Sequence, residues 1–111
     1  MDWISLTTED QLTTIKEKSF SVPQLIFKHS TRCSISSMAK SRLERADTPA
    51  GVDFYYLDLI AHRALSQQVA AIFEVPHESP QVLLIKNGKC VFDESHYAIS
   101  MDDIAESAHA A

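Results

Sequence analysis

The chain is short of the residues that build several common kinds of site. It has two glycines, Gly51 and Gly88. No Gly-rich loop is therefore present to wrap a phosphate in backbone N–H groups. It has two cysteines, Cys33 and Cys90, well separated in sequence. That is too few thiols for a four-ligand zinc site, and of the five histidines only His29 lies near either cysteine. No run of about 18 apolar residues occurs, the length that spans a bilayer as a helix. Basic residues are in the minority: 10 Lys and Arg stand against 15 Asp and Glu, for a net charge of −5. That balance argues against a broad nucleic-acid surface. The opening "MDWISLTTED" is acidic and polar where a secretory signal would be basic and then apolar. Together these absences predict a cytoplasmic protein with no nucleic-acid or membrane partner, whose two cysteines are free thiols.

What is present is globular. The hydrophobic share is 45% over 111 residues, which fits one domain, 1–111, with the Ala-rich tail "AESAHAA" expected to fray. A first helix is predicted through "TEDQLTTIKEK", with Thr8 as cap and Gln11 at the capping-box position. "QLIFKH" is almost continuously apolar and reads as a buried strand. Ile35, Met38, Ala39, Leu43 and Ala46 follow at helical spacing, so a second helix starts at or just after Cys33 and breaks at Thr48–Gly51. "VDFYYLDL" reads as a strand and "AHRALSQQVAAIF" as a helix with Ala61, Leu65, Val69 and Ile72 or Phe73 inward. "EVPHESP" is a loop. "QVLLIK" and "KCVFDE" flank Asn87-Gly88, a hairpin signal because a type I′ turn needs positive φ at both central residues. Ser100 caps a last helix, with Asp103 at its third position and Ile99 and Ile104 as a hydrophobic staple.

The order α-β-α-β-α-β-β-α calls for crossovers between the first strands and an antiparallel hairpin at the end. A four-stranded mixed sheet with helices on both faces satisfies it, an α/β arrangement of the thioredoxin-like type. A small flavodoxin-like domain is the alternative, but it would want a further parallel strand and a phosphate loop.

"KHSTRCSIS" carries the chemistry. Cys33 lies between a buried strand and the first turn of a helix, where free N–H groups and the helix dipole favour an anion such as a thiolate. Lys28, His29 and Arg32 can add positive potential. The competing reading, a small residue packed in the core, suits Cys33 poorly because Arg32 and Ser34 flank it. Cys90, inside the strand "KCVFDE" with no polar activating cluster, reads as structural. Ser36 occupies the position where a Cys-x-x-Cys site has its second thiol. Its hydroxyl can hydrogen-bond to the thiolate or to helix N–H groups, but it has no redox chemistry. A site with Cys33 alone must pass its mixed disulfide to a thiol from outside.

"FKHSTRCSISSMA" taken with "HESPQVLLIKNGKCVFDESHYAIS" resembles the YtxJ-type monothiol bacilliredoxins, small thioredoxin-fold proteins, over almost the whole chain. The resemblance implies removal of a bacillithiol cap from protein cysteines, with Cys33 as the attacking thiol. His29, Ser30 and Ser36 belong to the same motif, and Arg32 and Ser34 flank the sulfur. Ser79 and Pro80 match the substrate-contacting loop, where the proline is cis. The implied co-substrate is a low-molecular-weight thiol, bacillithiol or an equivalent such as glutathione or coenzyme A, and no bound cofactor or metal is expected. The implied partners are S-thiolated client proteins. Ser34 departs from the family's Cys-Pro-Ile-Ser, and Tyr97 stands where tryptophan is usual. Two other functions compete. One is a [2Fe–2S] carrier, because monothiol glutaredoxins share the Cys-x-x-Ser pattern. The other is a non-catalytic thioredoxin-like binding or redox-sensing module.

Overall fold

The computed structural model describes residues 1–110. Nine elements follow in chain order: β1 (Ile4–Ser5), α1 (Glu9–Lys18), β2 (Gln24–His29), α2 (Ser34–Arg45), β3 (Asp53–Asp58), α3 (Arg63–Phe73), β4 (Gln81–Lys86), β5 (Lys89–Ser95) and α4 (Met101–His109). A short 3₁₀ turn, His96–Ala98, joins β5 to α4.

The sheet order is β1-β3-β2-β4-β5. β2 runs parallel to β3 and antiparallel to β4, and β4 and β5 form the closing hairpin. The expected four-stranded sheet gains a fifth strand. β1 pairs parallel with β3 through Ile4 opposite Tyr55 and Ser5 opposite Tyr56. Two exposed residues in a polar opening leave no alternating pattern to read. Trp3, just before β1, anchors it by stacking on Phe27 at 5.6 Å and meeting Phe54 and Tyr56 edge-on.

The period-2 alternation of β2 divides the core. Ile26 joins Leu12, Ile15, Leu65, Val69 and Phe73 under α1 and α3. Leu25 and Phe27 join Ala39, Leu43, Ile104 and Ala108 under α2 and α4. All six residues of β2 are buried, as its continuous apolar run predicts. Helix starts follow local chemistry. Gln11 Oε1 accepts from the N–H groups of Thr7 and Thr8 at 2.8 and 3.0 Å, and Ser100 Oγ accepts from Asp103 N–H at 3.2 Å. Asn87 and Gly88 both have positive φ, 55° and 78°, as the tight hairpin requires.

Three local expectations are corrected. Ala61 is exposed in the turn before α3, because that helix starts two residues later. Met38 is exposed, because α2 turns Ser36 and Ala39 inward instead. The tail is helical through His109, since Ile104 and Ala108 pack on the sheet, and Ala111 lies outside the described residues.

Candidate functional site

The parallel pair β2 and β3 ends at His29 and Asp58, and that edge of the sheet is where α2 begins. Cys33 is the N-cap of α2 in extended conformation, and it is half-buried. Its N–H donates to Ser30 O at 3.2 Å, and its carbonyl accepts from Ser37 N–H at 3.1 Å. The turn Ser30–Cys33 is thus closed by its own backbone. The N–H groups of Ser34, Ile35 and Ser36 fall in the first turn, where the helix offers no carbonyl to receive them. The sulfur therefore starts a helix with free donors beside it, as the spacing predicts. The side chain itself makes no capping hydrogen bond.

Ser36 is fully buried. Its Oγ accepts from Ser30 N–H at 3.0 Å and lies 2.7 Å from His29 Nδ1. The hydroxyl at the place of a second thiol is therefore tied into the strand end below Cys33, to a loop N–H and an imidazole rather than to helix N–H groups. This network joins three predicted residues: His29, Ser30 and Ser36. His29 is buried between Phe27 and Tyr56, with ring centroids 5.7 and 5.4 Å away. Burial, and next the charge of Lys40, hold its pKa below the ordinary histidine value, partly offset by Asp58, Ser36 and Glu44. The ring is thus neutral at neutral pH and adds no positive charge there.

Of the three basic side chains expected near the sulfur, only Arg32 is an exposed cation. Lys28 points to the other face of the sheet and is fully buried against His77. Ser34 is exposed at the first helical position.

The Ser79–Pro80 bond is cis, as the resemblance implies. Lys28 pairs with Gln81 in the antiparallel β2–β4 register. Ser79 and Pro80 directly precede that last paired row, at the end of β2 from which the chain runs on to Cys33. Pro80 is buried, and its carbonyl accepts from His96 N–H at 3.0 Å. Ser79 Oγ is buried with no hydrogen-bond partner among the described residues.

Cys90 lies elsewhere. It pairs with Ile85, which is opposite Gln24, four residues along β2 from the Lys28–Gln81 row. At about 3.3 Å per residue that is roughly 13 Å further down the sheet. It packs against the α1–α3 core, and its Sγ is 3.3 Å from Phe92 O. Burial pushes its thiol up to about 11.

Sequence reasoning missed the packing of Trp3 on Phe27 and Tyr56, the two rings that flank His29, and the pairing of Lys28 with His77. The first depended on the unforeseen β1. The second joins a strand to a loop, and its only signal was a lysine inside an otherwise apolar run.

A thiol at a helix start, a cis-proline at the entry of the strand beside β2 and a mixed five-stranded sheet between two layers of helices define a thioredoxin-fold thiol oxidoreductase. The profile of the monothiol bacilliredoxin BrxC family matches residues 4–104, and the chain belongs to that family. A solved chain described as having a thioredoxin fold is 31% identical, with a TM-score of 0.78 over 94% of this chain and 91% of that one. Thioredoxin of Malassezia sympodialis is 19% identical, with a TM-score of 0.74 over 96% and 88% of the two chains. Thioredoxin of Trypanosoma brucei brucei is 10% identical, with a TM-score of 0.71 over 96% and 87%. The last two are similar in fold alone. Among the described residues, no helix is long and apolar enough to cross a membrane.

Proposed function

We propose that the protein removes a low-molecular-weight thiol, bacillithiol in the first instance, from mixed disulfides on client proteins in the cytoplasm. The Cys33 thiolate attacks the small-thiol sulfur of the client disulfide. The bond between client and small thiol breaks, and a disulfide forms between Cys33 and the small thiol. The client leaves as a thiolate and takes a proton from water. A second small-thiol anion then attacks the sulfur of the adduct. This releases the symmetrical small-thiol disulfide and restores the Cys33 thiolate. Two electrons pass from the two small thiols to the client disulfide, and no metal takes part.

The observation that carries this reading is the isolation of Cys33. The residue one helical turn on is Ser36, whose oxygen is held by His29 and Ser30, and the other thiol lies in a different part of the sheet. A second thiol from solution is therefore needed to finish the cycle. Ser79 and Pro80, at the cis bond, are assigned to the client or adduct backbone. Arg32 and the Ser34 N–H are assigned to the approaching disulfide.

The test is release of the free thiol from one model protein carrying either a bacillithiol or a glutathione cap, with the matching small thiol as reductant. Release that depends on the protein, and is faster for the bacillithiol cap, is expected. No release from either substrate would contradict the function, and preference for the glutathione cap would contradict the choice of thiol.

A further inference from the structure

The loop between α3 and β4, residues 74–80, carries Ser79 and Pro80, and a row of two buried polar side chains holds it from beneath. Lys28 and Gln81 stand opposite one another in the β2–β4 register, so their side chains share a face of the sheet, the α1–α3 face that Ile26 also lines. Lys28 is 0% exposed and Gln81 1%. Gln81 holds the loop backbone: its Nε2 donates to Pro76 O at 3.0 Å, and its Oε1 accepts from Glu78 N–H at 3.3 Å. Lys28 holds the residue between them, with its Nζ 3.1 Å from His77 Nδ1. Ser66 Oγ, on α3, is 3.3 Å from the same nitrogen. Three successive loop residues are thus fastened to one row, and Ser79 and Pro80 follow directly.

A lysine is a costly residue to place in this row. An ammonium taken out of water is strongly disfavoured unless a counter-charge meets it, and a methionine of similar length would be buried without that penalty. Among the described residues no carboxylate lies within salt-bridge distance of Lys28. Its one hydrogen-bond partner is the loop histidine. Burial lowers the Lys28 pKa to about 8, so at neutral pH the ammonium keeps its proton and donates. Burial, and next the Lys28 charge, lower the His77 pKa against an opposing effect of Glu78, so the ring is neutral and Nδ1 can accept. The two groups match as donor and acceptor. A buried polar pair fixes one arrangement where apolar contacts would allow several. Pro76, His77 and Glu78 are exposed, so packing into the core does not place them. The polar row does.

We propose that Lys28 is a positioning residue for the exchange at Cys33, acting through His77 to hold Ser79 and Pro80 where they receive the client backbone. It acts from the α1–α3 face of the sheet, whereas Cys33 starts the helix that packs on the other face. The use of Ser79 and Pro80 by the client rests on the function proposed above, and the fastening of the loop by Lys28 does not. A lysine that served only the stability of the fold is the competing account, and the experiment separates the two.

Three variants are compared with wild type. Lys28→Met removes the ammonium and keeps the length. His77→Phe keeps a ring and removes its acceptor. His77→Asn returns an acceptor at the place of Nδ1. His77 is exposed, so its replacements leave the core intact. ¹⁵N relaxation of the reduced proteins reads the loop by itself. Order parameters at the amides of His77, Glu78 and Ser79 are expected near the rigid value of about 0.85 in wild type and His77→Asn, and below about 0.6 in Lys28→Met and His77→Phe. Unchanged values in those two variants would overturn the proposal, whatever Cys33 does. Turnover then reads the site. On a bacillithiol-capped client, Lys28→Met and His77→Phe are each expected to raise KM about ten-fold, with His77→Asn within about two-fold of wild type. The double variant is expected to be no worse than either single one, because both act through one contact. On bis(2-hydroxyethyl) disulfide, which has no peptide backbone to lie against Ser79, all are expected to stay within about two-fold of wild type. Equal losses on both substrates would make Lys28 a residue of general stability and overturn the positioning role. A loop loosened by Lys28→Met in a protein whose wild type has no turnover would overturn the function above and the client role of the loop, while leaving its fastening by Lys28 in place.

Discussion

Cys33 and Cys90 are both half-buried thiols at the sheet, and their surroundings are unlike. Cys33 starts a helix, with first-turn N–H groups beside it and a neutral, hydrogen-bonded floor of His29, Ser36 and Ser30 below. Cys90 sits within a hairpin strand against an apolar core that pushes its thiol up to about 11. Exposure does not separate them. What separates them is the backbone: a helix start leaves its first-turn N–H groups without carbonyl partners, whereas a paired strand has already used them.

The sharpest way to break this comparison is to remove each sulfur. Cys33→Ser is expected to lower removal of the small thiol by more than about 10³-fold, because no other nucleophile is placed at the helix start. Stopped assays of client thiol release check this, and residual turnover near wild type would place the nucleophile elsewhere.

The floor below Cys33 can be tested through its two faces. On one face, Lys28 is buried and its pKa is lowered from 10.5 to about 8. Above about pH 8 the folded state sheds this proton while the unfolded chain keeps it to about 10.5, so stability rises with pH in that window. Relative to Lys28→Met in anion-free buffer, wild type is expected to gain about 3 kcal/mol between those limits. Urea unfolding of both proteins at several pH values measures the difference, and parallel curves would contradict the buried charge.

On the other face, Ser36→Ala leaves the Ser30 N–H and His29 Nδ1 without their partner. A loss of about 2 kcal/mol is expected in denaturant unfolding. A change near zero would mean that the network does not hold the site.

The smallest effect is expected at Cys90. Cys90→Ala is expected to cost about 1 kcal/mol of stability, for a small apolar group only partly buried, and to leave turnover within about two-fold of wild type. Turnover lost in a folded variant would make Cys90 a resolving thiol and erase the contrast.

The two regions also differ in how much of them could be read from residues alone. The hairpin and its cysteine were legible because Asn87-Gly88 between apolar runs has few other conformations. The helix start at Cys33 was legible because a buried run gives way to a 3.6-residue period there. The pairing of Ser36 with His29 was not. A serine one turn after the cysteine fits a sulfur contact or an ordinary helix surface equally well, and only the packing of α2 on β2 turns it inward. Lys28 was misplaced for a related reason. Strand alternation sets it opposite Phe27 and His29, but the sequence does not say that a loop histidine will cover it. β1 was missed because its two residues gain strand character only from pairing with β3. Tertiary contacts decided each of these points.

The most direct test of the one-thiol account is intact and peptide mass spectrometry of the wild-type protein, quenched with acid midway through turnover on a bacillithiol-capped client. The account predicts a single added small thiol on the Cys33 peptide, with Cys90 unmodified and no disulfide between the two. A Cys33–Cys90 disulfide, or an adduct confined to Cys90, would contradict it.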